Sequence, residues 1–427
     1  MIGSLVSTFR GFNRSIRLFL LASLLLGLGV DGVYSVLFNL FMLRLGYDAD
    51  FIGVVNSAGL FAFAFVGLPA GLLGSRWGSR VMLVSGLVFV LTGATLLPLA
   101  EFAGQFQGVW LIVSYALLMG GWSAVFVNGS PFMMSSSTGD GRNTLFSIQV
   151  AITSFASFSG SLIGGYLPGW ISALIQIPLT EPTPYRYPMQ IMALLMIPAL
   201  FLMMGTSEPD TEINQSDQKG ETRTLNLWLL PIALILVIAF IRMMQVSGLA
   251  TTATFINVYL DTELAQPTSR IGLLTSFSRL AGVAGALLFP ILSKRYSNIT
   301  VAIIGSLGAA LFIFPIALIP TWWVAGLGFI MARFLTGMRY PAFQVYILEL
   351  FETRYHALMS GVMAFAAGLS FALMALSGGY IITLFSFRNL FLTGATITVV
   401  GSFALIGFHL YRSAQQSKLP LTQEIGD

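Results

Sequence analysis

Residues 208–226 read EPDTEINQSDQKGETRTLN and interrupt an otherwise apolar chain of 427 residues near its midpoint. A helix needs about 20 mainly apolar residues to cross a bilayer. Six segments of that kind precede this stretch and six follow it. The sequence therefore predicts an all-α membrane protein with twelve transmembrane helices, divided into an N-terminal six-helix bundle (1–207), a cytoplasmic linker (208–226) and a C-terminal six-helix bundle (227–427).

The composition supports a membrane location for most of the chain. Hydrophobic residues make up 56% of the sequence, charged residues make up 9%, and the mean hydropathy is +0.85. Soluble domains carry about 25% charged residues, so most of this protein's surface must face lipid. The predicted helices are 18–43, 51–74, 81–100, 109–134, 144–170, 189–206, 227–258, 271–293, 299–319, 323–349, 357–384 and 388–411.

What the sequence lacks disfavours several functional classes. It has no cysteine and only two histidines, so it predicts no disulfide, no thiolate site and no metal site. The 21 lysines and arginines are scattered between apolar blocks and predict no nucleic-acid partner, despite the net charge of +4. The predicted helices carry no paired carboxylates or nucleophile–base arrangement, and no phosphate-binding G-x-x-x-x-G-K-[ST] sequence occurs. We therefore expect no enzyme activity and no cofactor.

The basic residues predict the orientation, because cytoplasmic loops carry an excess of lysine and arginine. With the N-terminus inside, most basic residues fall on the cytoplasmic side, and the outer loops hold only Arg44, Arg186, Arg270 and Arg388. The first apolar run is longer than the core of a signal peptide, which has roughly 7–15 residues, so it is interpreted as a retained helix. These features predict a multi-pass protein of the plasma (inner) membrane with both termini in the cytoplasm.

The two halves of the sequence resemble each other. Residues 52–86 and 271–305 align without a gap, which places Arg76 on Arg295. Residues 38–41 (FNLF) match 256–259 (INVY) one residue out of phase, and 164–166 (GGY) match 378–380 (GGY). Two six-helix halves with the same topology are related by an axis along the membrane normal. The duplication therefore predicts a site between the halves, near the middle of the membrane.

Residues 71–80, GLLGSRWGSR, resemble the G-x-L-x-D-R-x-G-R/K signature of the major facilitator superfamily, and the similarity of the chain to this family extends over nearly its whole length. The positions that match are Gly71, Leu73, Arg76, Gly78 and Arg80. Ser75 stands where the family has an acid, and Lys294 is its equivalent in the second half. The resemblance implies a twelve-helix fold and secondary transport by alternating access. We expect the chain to act as a monomer.

The same loop is the candidate gating region. Glycines permit a tight cytoplasmic turn, and arginines hold the turn at an anionic membrane face and pair with acids on neighbouring helices. Glu349 is predicted at the cytoplasmic end of helix 10, close to Lys294 and Arg295, where a salt bridge is expected. The candidate gating residues are Arg76, Gly78, Arg80, Arg295 and Glu349.

Residues 160–165, GSLIGG, are similar to the end of the G-P-x-x-G-G element of drug/proton antiporters. Ser161 stands where that element has proline. Small residues at this spacing also pack membrane helices together. An exporter of amphipathic, drug-like compounds therefore stays open beside the packing interpretation.

Asp31 is the only carboxylate deep within a predicted helix. Tyr34 shares its helical face and Asn39 lies at the margin of that face. Ionisable groups inside a bilayer are expensive and mark functional sites. Two interpretations of Asp31 stay open, namely proton coupling or substrate contact, and a structural ion pair with an arginine.

Predicted helix 10 carries a polar stripe, with Arg333, Gly337, Tyr340 and Gln344 at helical spacing. In the family that this chain resembles, helices 1, 4, 7 and 10 line the central cavity, which implies that the stripe faces it. Arg339 lies off the stripe and is expected to reach the cytoplasmic edge.

Predicted helices 7 and 8 add further candidates for the substrate or coupling site, namely Arg242, Gln245, Asn257 and Arg279. Four arginines lie within predicted helices, against one deep carboxylate, so the cavity is expected to be positive. Guanidinium groups favour bidentate binding of carboxylate, phosphate or sulfate. The sequence therefore predicts an anionic or zwitterionic solute.

The leading hypothesis is a secondary transporter of such a solute, coupled to protons, with the solute, protons and the lipid bilayer as its only partners. An exporter of amphipathic compounds is the alternative within transport. From a different class, a lipid-translocating protein or a transport-inactive membrane sensor stays open.

Overall fold

The computed structural model describes residues 12–137, 141–207, 232–351 and 355–416, and every regular element in this part of the chain is a helix. The predicted linker, 208–226, lies outside the described residues. Eleven helices are long and apolar enough to cross a membrane. A twelfth helix of 28 residues, which carries Arg333 and Arg339, also has sufficient length. The predicted all-α, twelve-helix fold is confirmed.

Within each half of the chain, the helices follow one another with short connections. They are α1 (Arg14–Arg44), α2 (Ala49–Trp77), α3 (Ser79–Leu96), α4 (Gln107–Ser136), α5 (Gly141–Ile175), α6 (Thr183–Met204), α7 (Ile232–Thr262), α8 (Thr268–Leu292), α9 (Asn298–Leu318), α10 (Trp322–Glu349), α11 (His356–Leu384) and α12 (Phe387–Gln416). Gly78 alone separates α2 from α3 with a φ of 93°, a conformation that glycine adopts without steric strain.

Because successive helices run in opposite directions, their ends lie at two faces of the molecule. We call the face at which α1 begins and α12 ends the terminal face, and the other the opposite face. The halves α1–α6 and α7–α12 meet chiefly where α2 packs against α11 and where α5 packs against α8.

The two contacts between the halves are tightest near the opposite face, and they involve duplicated glycines. A Cβ atom placed on Gly53 of α2 would lie 2.5 Å from the carbonyl oxygen of Ala375 and 3.0 Å from the Cα of Gly379. A Cβ atom placed on Gly272 of α8 would lie 2.5 Å from the Cα of Gly165. Backbone therefore packs against backbone on both sides of the pseudo-twofold axis, which only glycine permits at this distance.

Candidate functional site

A cavity of about 460 Å³ lies between the two halves and is lined by residues of both. Its polar lining residues are Asp31, Ser35, Asn39, Asn56, Thr254, Arg279 and Arg333. Its aromatic lining residues are Tyr34, Phe38, Phe63, Tyr115, Trp122 and Phe371. Binding sites for small molecules combine such apolar walls with a few convergent polar groups.

Asp31 lies where α1 departs from regular helical geometry. Residues Gly27–Tyr34 form a π-helical segment of sequence GLGVDGVY, and such segments occur often at functional sites. The carboxylate of Asp31 lies near enough to the guanidinium groups of Arg279 and Arg333 to interact with both charges. It is in neither of the two ion pairs formed within the described part of the chain. Asp31 is half-buried and lines the cavity, and it has no direct ionic partner among the described residues.

Arg279 connects α8 to the other half of the molecule. Its Nε donates to the hydroxyl of Ser161 on α5 (3.1 Å), and its Nη2 donates to the hydroxyl of Ser35 on α1 (2.7 Å). The Ser35 hydroxyl in turn donates to the backbone carbonyl of Asp31 (2.6 Å). Two hydroxyl groups of the N-terminal half thus fix the guanidinium one turn from Asp31.

Arg333 of α10 is held less completely than Arg279. Its guanidinium carbon lies 5.4 Å from the ring centroid of Phe329. Its Nε is buried and has no hydrogen-bond partner among the described residues. Arg333 therefore brings a charge to the cavity with donor capacity still available.

An aromatic wall faces these charges from the N-terminal half. The rings of Phe38 and Tyr115 stack with centroids 4.2 Å apart and an interplanar angle of 22°. Trp122 extends this wall along α4. The cavity thus combines a charged region with a flat apolar surface.

Between Asp31 and the opposite face, a duplicated asparagine in α1 and in α7 donates a hydrogen bond to the backbone of the other helix. Asn39 donates to the carbonyl of Thr254 (2.7 Å), and Asn257 donates to the carbonyl of Ser35 (2.9 Å). Each asparagine is also bound by the helix that follows it. Asn56 donates to the side-chain oxygen of Asn39 (2.8 Å), and Thr275 donates to that of Asn257 (3.2 Å).

An ion pair closes the opposite face further out. Nη1 and Nη2 of Arg44, at the end of α1, donate to both carboxylate oxygens of Asp261 in α7 (2.8 and 2.7 Å). The hydroxyls of Tyr185 and Thr268 also meet across the halves at 3.1 Å. The hydrogen bonds that Asn39, Asn257, Arg44, Tyr185 and Arg279 form across the halves lie at the level of Asp31 or nearer the opposite face. The structure is therefore closed toward that face.

Sequence reasoning missed Asn56 and the ion pair between Arg44 and Asp261 as parts of the site. Ser35 shares the helical face of Asp31 in the sequence but was not among the predicted site residues. The sequence places Arg44 only in an outer loop. When 38–41 is aligned with 256–259, Arg44 at the end of α1 and Asp261 at the end of α7 lie one position apart. Opposite charges at equivalent helix ends were the sequence signal for this ion pair.

The structure places half of the predicted site residues away from the cavity. Tyr34 does line the cavity, but its hydroxyl donates to the carbonyls of Ala94 (2.6 Å) and Met189 (3.0 Å) within its own half. The candidates outside the cavity lining are Arg242, Gln245, Asn257, Tyr340 and Gln344. Arg242 lies over the ring of Tyr340, at 5.4 Å, and Gln344 donates to Ser360 (3.0 Å).

The predicted stripe of α10 does not form one surface. Arg333 reaches the cavity, Gly337 packs closely against Gly282 of α8, and Gln344 contacts α11. The expectation that Arg339 reaches the edge of the membrane is wrong. Its side chain is 2% exposed and donates to the carbonyl of Gln245 inside the C-terminal half (2.9 Å).

The predicted gating residues lie at the terminal face. Arg76 and Arg295 are exposed, and Arg80 donates to the carbonyl of Met204 (2.8 Å). Glu349 accepts a hydrogen bond from Asn298 (2.8 Å), and neither ion pair of the described residues joins it to Lys294 or Arg295. The expected salt bridge is therefore absent from this conformation. No group of three His, Cys, Asp or Glu residues that could hold a metal ion occurs in the described ranges.

Among solved structures, the fold is similar to a point mutant of the nucleoside transporter NupG, with a TM-score of 0.72, 16% identity, and coverage of 92% of this chain and 99% of that one. It is also similar to the inward-open xylose transporter XylE from E. coli (TM-score 0.69, 15% identity, 92% and 95% coverage). A bacterial homologue of the human lysosomal transporter Spinster, inward-facing and unoccupied, gives a TM-score of 0.65 at 13% identity, with 96% and 98% coverage.

No curated protein matches the sequence at a significant level. The model of the family described as Major Facilitator Superfamily, however, matches residues 19–263 and again residues 235–424. These two matches together cover most of the chain. The protein therefore belongs to the major facilitator superfamily.

Proposed function

We propose that this protein is a secondary transporter that moves a small anionic or zwitterionic solute by alternating access, coupled to protons. The observation that carries the proposal is the position of Arg279 and Arg333, two guanidinium groups at one cavity that also holds a single carboxylate, Asp31. A guanidinium group binds a carboxylate or phosphate through two parallel hydrogen bonds, which an ammonium group cannot match.

The volume of the cavity and its aromatic lining indicate what kind of solute it can hold. A volume of about 460 Å³ suits a small metabolite. The stacked rings of Phe38 and Tyr115 provide a flat apolar surface beside the arginines. A solute with one anionic end and a planar or apolar body would satisfy both regions of the cavity.

Alternating access requires that the bonds on one side of the solute break while others form. The bonds of Asn39, Asn257 and Arg44 across the halves are the ones to break when the opposite face opens. Packed helix interfaces can adopt two discrete arrangements, so one set of contacts between the halves can break while another set forms.

Asp31 is the group proposed to exchange protons. It lines the cavity close to the charges of Arg279 and Arg333. The Ser35 hydroxyl connects it to Arg279, because this hydroxyl donates to the backbone carbonyl of Asp31 and accepts from Arg279. Binding of an anion by the arginines would reduce their charge next to Asp31, which favours its protonated form. Solute binding and proton binding would then favour each other.

The exporter alternative receives less support from the geometry. Gly165, in the segment similar to the antiporter element, packs against Gly272, and Ser161 binds Arg279. Close helix packing and the hydrogen bond with Arg279 therefore account for these residues.

The experiment that tests the proposal is a thermal-shift screen of the purified protein, because a ligand that binds only the folded state raises its melting temperature. The panel contains carboxylates, phosphates, amino acids, neutral sugars, nucleosides and lipophilic cations. We expect stabilisation by acids or zwitterions, followed by their transport in proteoliposomes under a pH gradient. Stabilisation by lipophilic cations alone would contradict the proposal.

A further inference from the structure

Three polar side chains lie together inside the C-terminal half, away from the central cavity. Arg242 and Gln245 are one turn apart on α7, and Arg339 comes from α10. Their exposed fractions are 4%, 2% and 2%. The three residues are absent from the lining of the cavity around Asp31, so solute binding at that cavity leaves them unexplained.

Most of the polar atoms in this cluster have no partner. Nε and Nη1 of Arg242, Nε of Arg339 and both amide atoms of Gln245 are buried without a hydrogen bond among the described residues. The one bond within the cluster runs from Nη1 of Arg339 to the backbone carbonyl of Gln245. Buried polar atoms in proteins are normally satisfied by protein, ion or water.

The cluster also carries two positive charges without an acid beside them. Arg242 and Arg339 repel each other. The acids of the described C-terminal half are Asp261 and Glu263, near the opposite face, and Glu349, which binds Asn298 at the end of α10. A buried charge needs a paired countercharge, because its desolvation is strongly unfavourable otherwise.

The packing around the cluster limits what can supply that countercharge. A Cβ atom on Gly305 of α9 would lie 2.8 Å from the Cβ of Arg339, and one on Gly401 of α12 would lie 3.0 Å from the backbone nitrogen of Gln245. The backbones of two neighbouring helices thus press against the cluster. The unpartnered side-chain atoms are mainly N–H donors, so the ligand that satisfies them is an acceptor, and the close packing of α9 and α12 favours a small one.

We propose that Arg242, Arg339 and Gln245 form a binding site for a monovalent halide of the size of chloride. The ion accepts hydrogen bonds from the free guanidinium N–H groups and from the Gln245 amide. It neutralises one of the two charges and ties α7 to α10, the helix that presents Arg333 to the central cavity. This site is independent of the solute proposed for that cavity.

The test is thermal unfolding of the purified full-length protein in gluconate buffer, titrated with chloride and separately with bromide at constant ionic strength. We expect a saturable rise in melting temperature of about 2–4 °C for each halide. The rise should vanish in Arg339→Met and in Arg242→Met. It should persist in Arg333→Met, which removes a guanidinium of the central cavity instead.

A second measurement covers variants that fail to fold. Crystals of the wild-type protein in bromide should show an anomalous peak within hydrogen-bonding distance of Arg339 and Arg242. Equal melting temperatures in gluconate and chloride would overturn the proposal, as would an unchanged halide response in both methionine variants. A bromide peak only at the central cavity would also overturn it.

Discussion

The N-terminal and C-terminal halves keep one duplicated framework and differ in the charge that they bring to the cavity. Asn39 and Asn257 make matching bonds from α1 to α7 and from α7 to α1, and Gly53 and Gly272 make matching close contacts. These residues bring the halves together. Their similarity shows that closure of the opposite face uses positions retained in both copies of the duplication.

The charged residues of the cavity do not follow the duplication. In the alignment of the halves, Arg279 of α8 occupies the position of Leu60 in α2, and both line the cavity. Both cavity arginines come from the C-terminal half, whereas the carboxylate and the stacked aromatic pair come from the N-terminal half. The framework is thus symmetric, whereas the charged and aromatic groups of the cavity are distributed asymmetrically between the halves.

The largest effect on transport is expected from substitution of Arg333, because its buried Nε has no hydrogen-bond partner among the described residues and is available to a solute. Arg333→Lys keeps the charge and removes the two-pronged geometry, so transport should fall about 10- to 100-fold. Initial uptake rates in proteoliposomes measure this. Arg388→Lys, at an exposed arginine of α12, is the matched control and should transport normally. Normal transport by Arg333→Lys would remove this residue from the site.

Asp31→Asn should separate exchange from accumulation. The variant keeps the shape of the side chain and cannot gain or lose a proton, so it should exchange solute across a membrane but not accumulate it under a pH gradient. Both activities are measured in the same proteoliposomes. If Asp31 only balances the arginines, the variant should instead lose stability because buried positive charge is left uncompensated. Normal pH-driven accumulation would contradict proton coupling by Asp31.

Arg279→Leu would give the C-terminal half the residue of its N-terminal counterpart. Loss of the bonds to Ser35 and Ser161, and of one guanidinium, should weaken anion binding about tenfold. Ligand-dependent melting temperatures measure the change. Arg270→Leu, at an arginine of α8 outside the cavity lining, serves as control. Unchanged binding by Arg279→Leu would show that the asymmetry of charge has no role in recognition.

A smaller effect is expected at the opposite face. Asp261→Asn weakens the bidentate pair with Arg44, which should raise the population open at that face about 3- to 10-fold. Because the chain has no cysteine, a single cysteine at Ala253 of the cavity lining reports this opening through its labelling from the side of the opposite face. Glu101→Gln, which breaks an ion pair within the N-terminal half, should leave labelling unchanged. Equal labelling of Asp261→Asn and wild type would exclude the ion pair as a gate.

The twelve-helix fold was predictable because the length of apolar segments and the duplication of the two halves can be read directly from the sequence. Errors arose at helix ends. Helix 6 was predicted from residue 189 but begins at Thr183, since Pro184 and Pro188 are accommodated within its first turns. Pro341 similarly lies within α10.

The site was predictable only in part. Helical spacing indicates which residues share a face, but it does not say which neighbouring helix that face meets. Arg333 therefore reached the cavity, whereas Gln344 on the same predicted stripe bonds to Ser360 of α11. The π-helical segment around Asp31 and the contact of Arg44 with Asp261 depend on tertiary packing between distant parts of the chain.

Recognition of an anion by the cavity arginines is tested most directly by comparing acids with their own carboxamides. Each solute that stabilises the protein in the thermal-shift screen is paired with the analogue in which –COO⁻ becomes –CONH₂, so that only the anionic group changes. We expect that the acid raises the melting temperature of the wild-type protein, that the carboxamide does so far less, and that the difference disappears in Arg333→Ala. Equal stabilisation by both members of each pair, or a difference that survives in Arg333→Ala, would contradict recognition of an anion at this cavity.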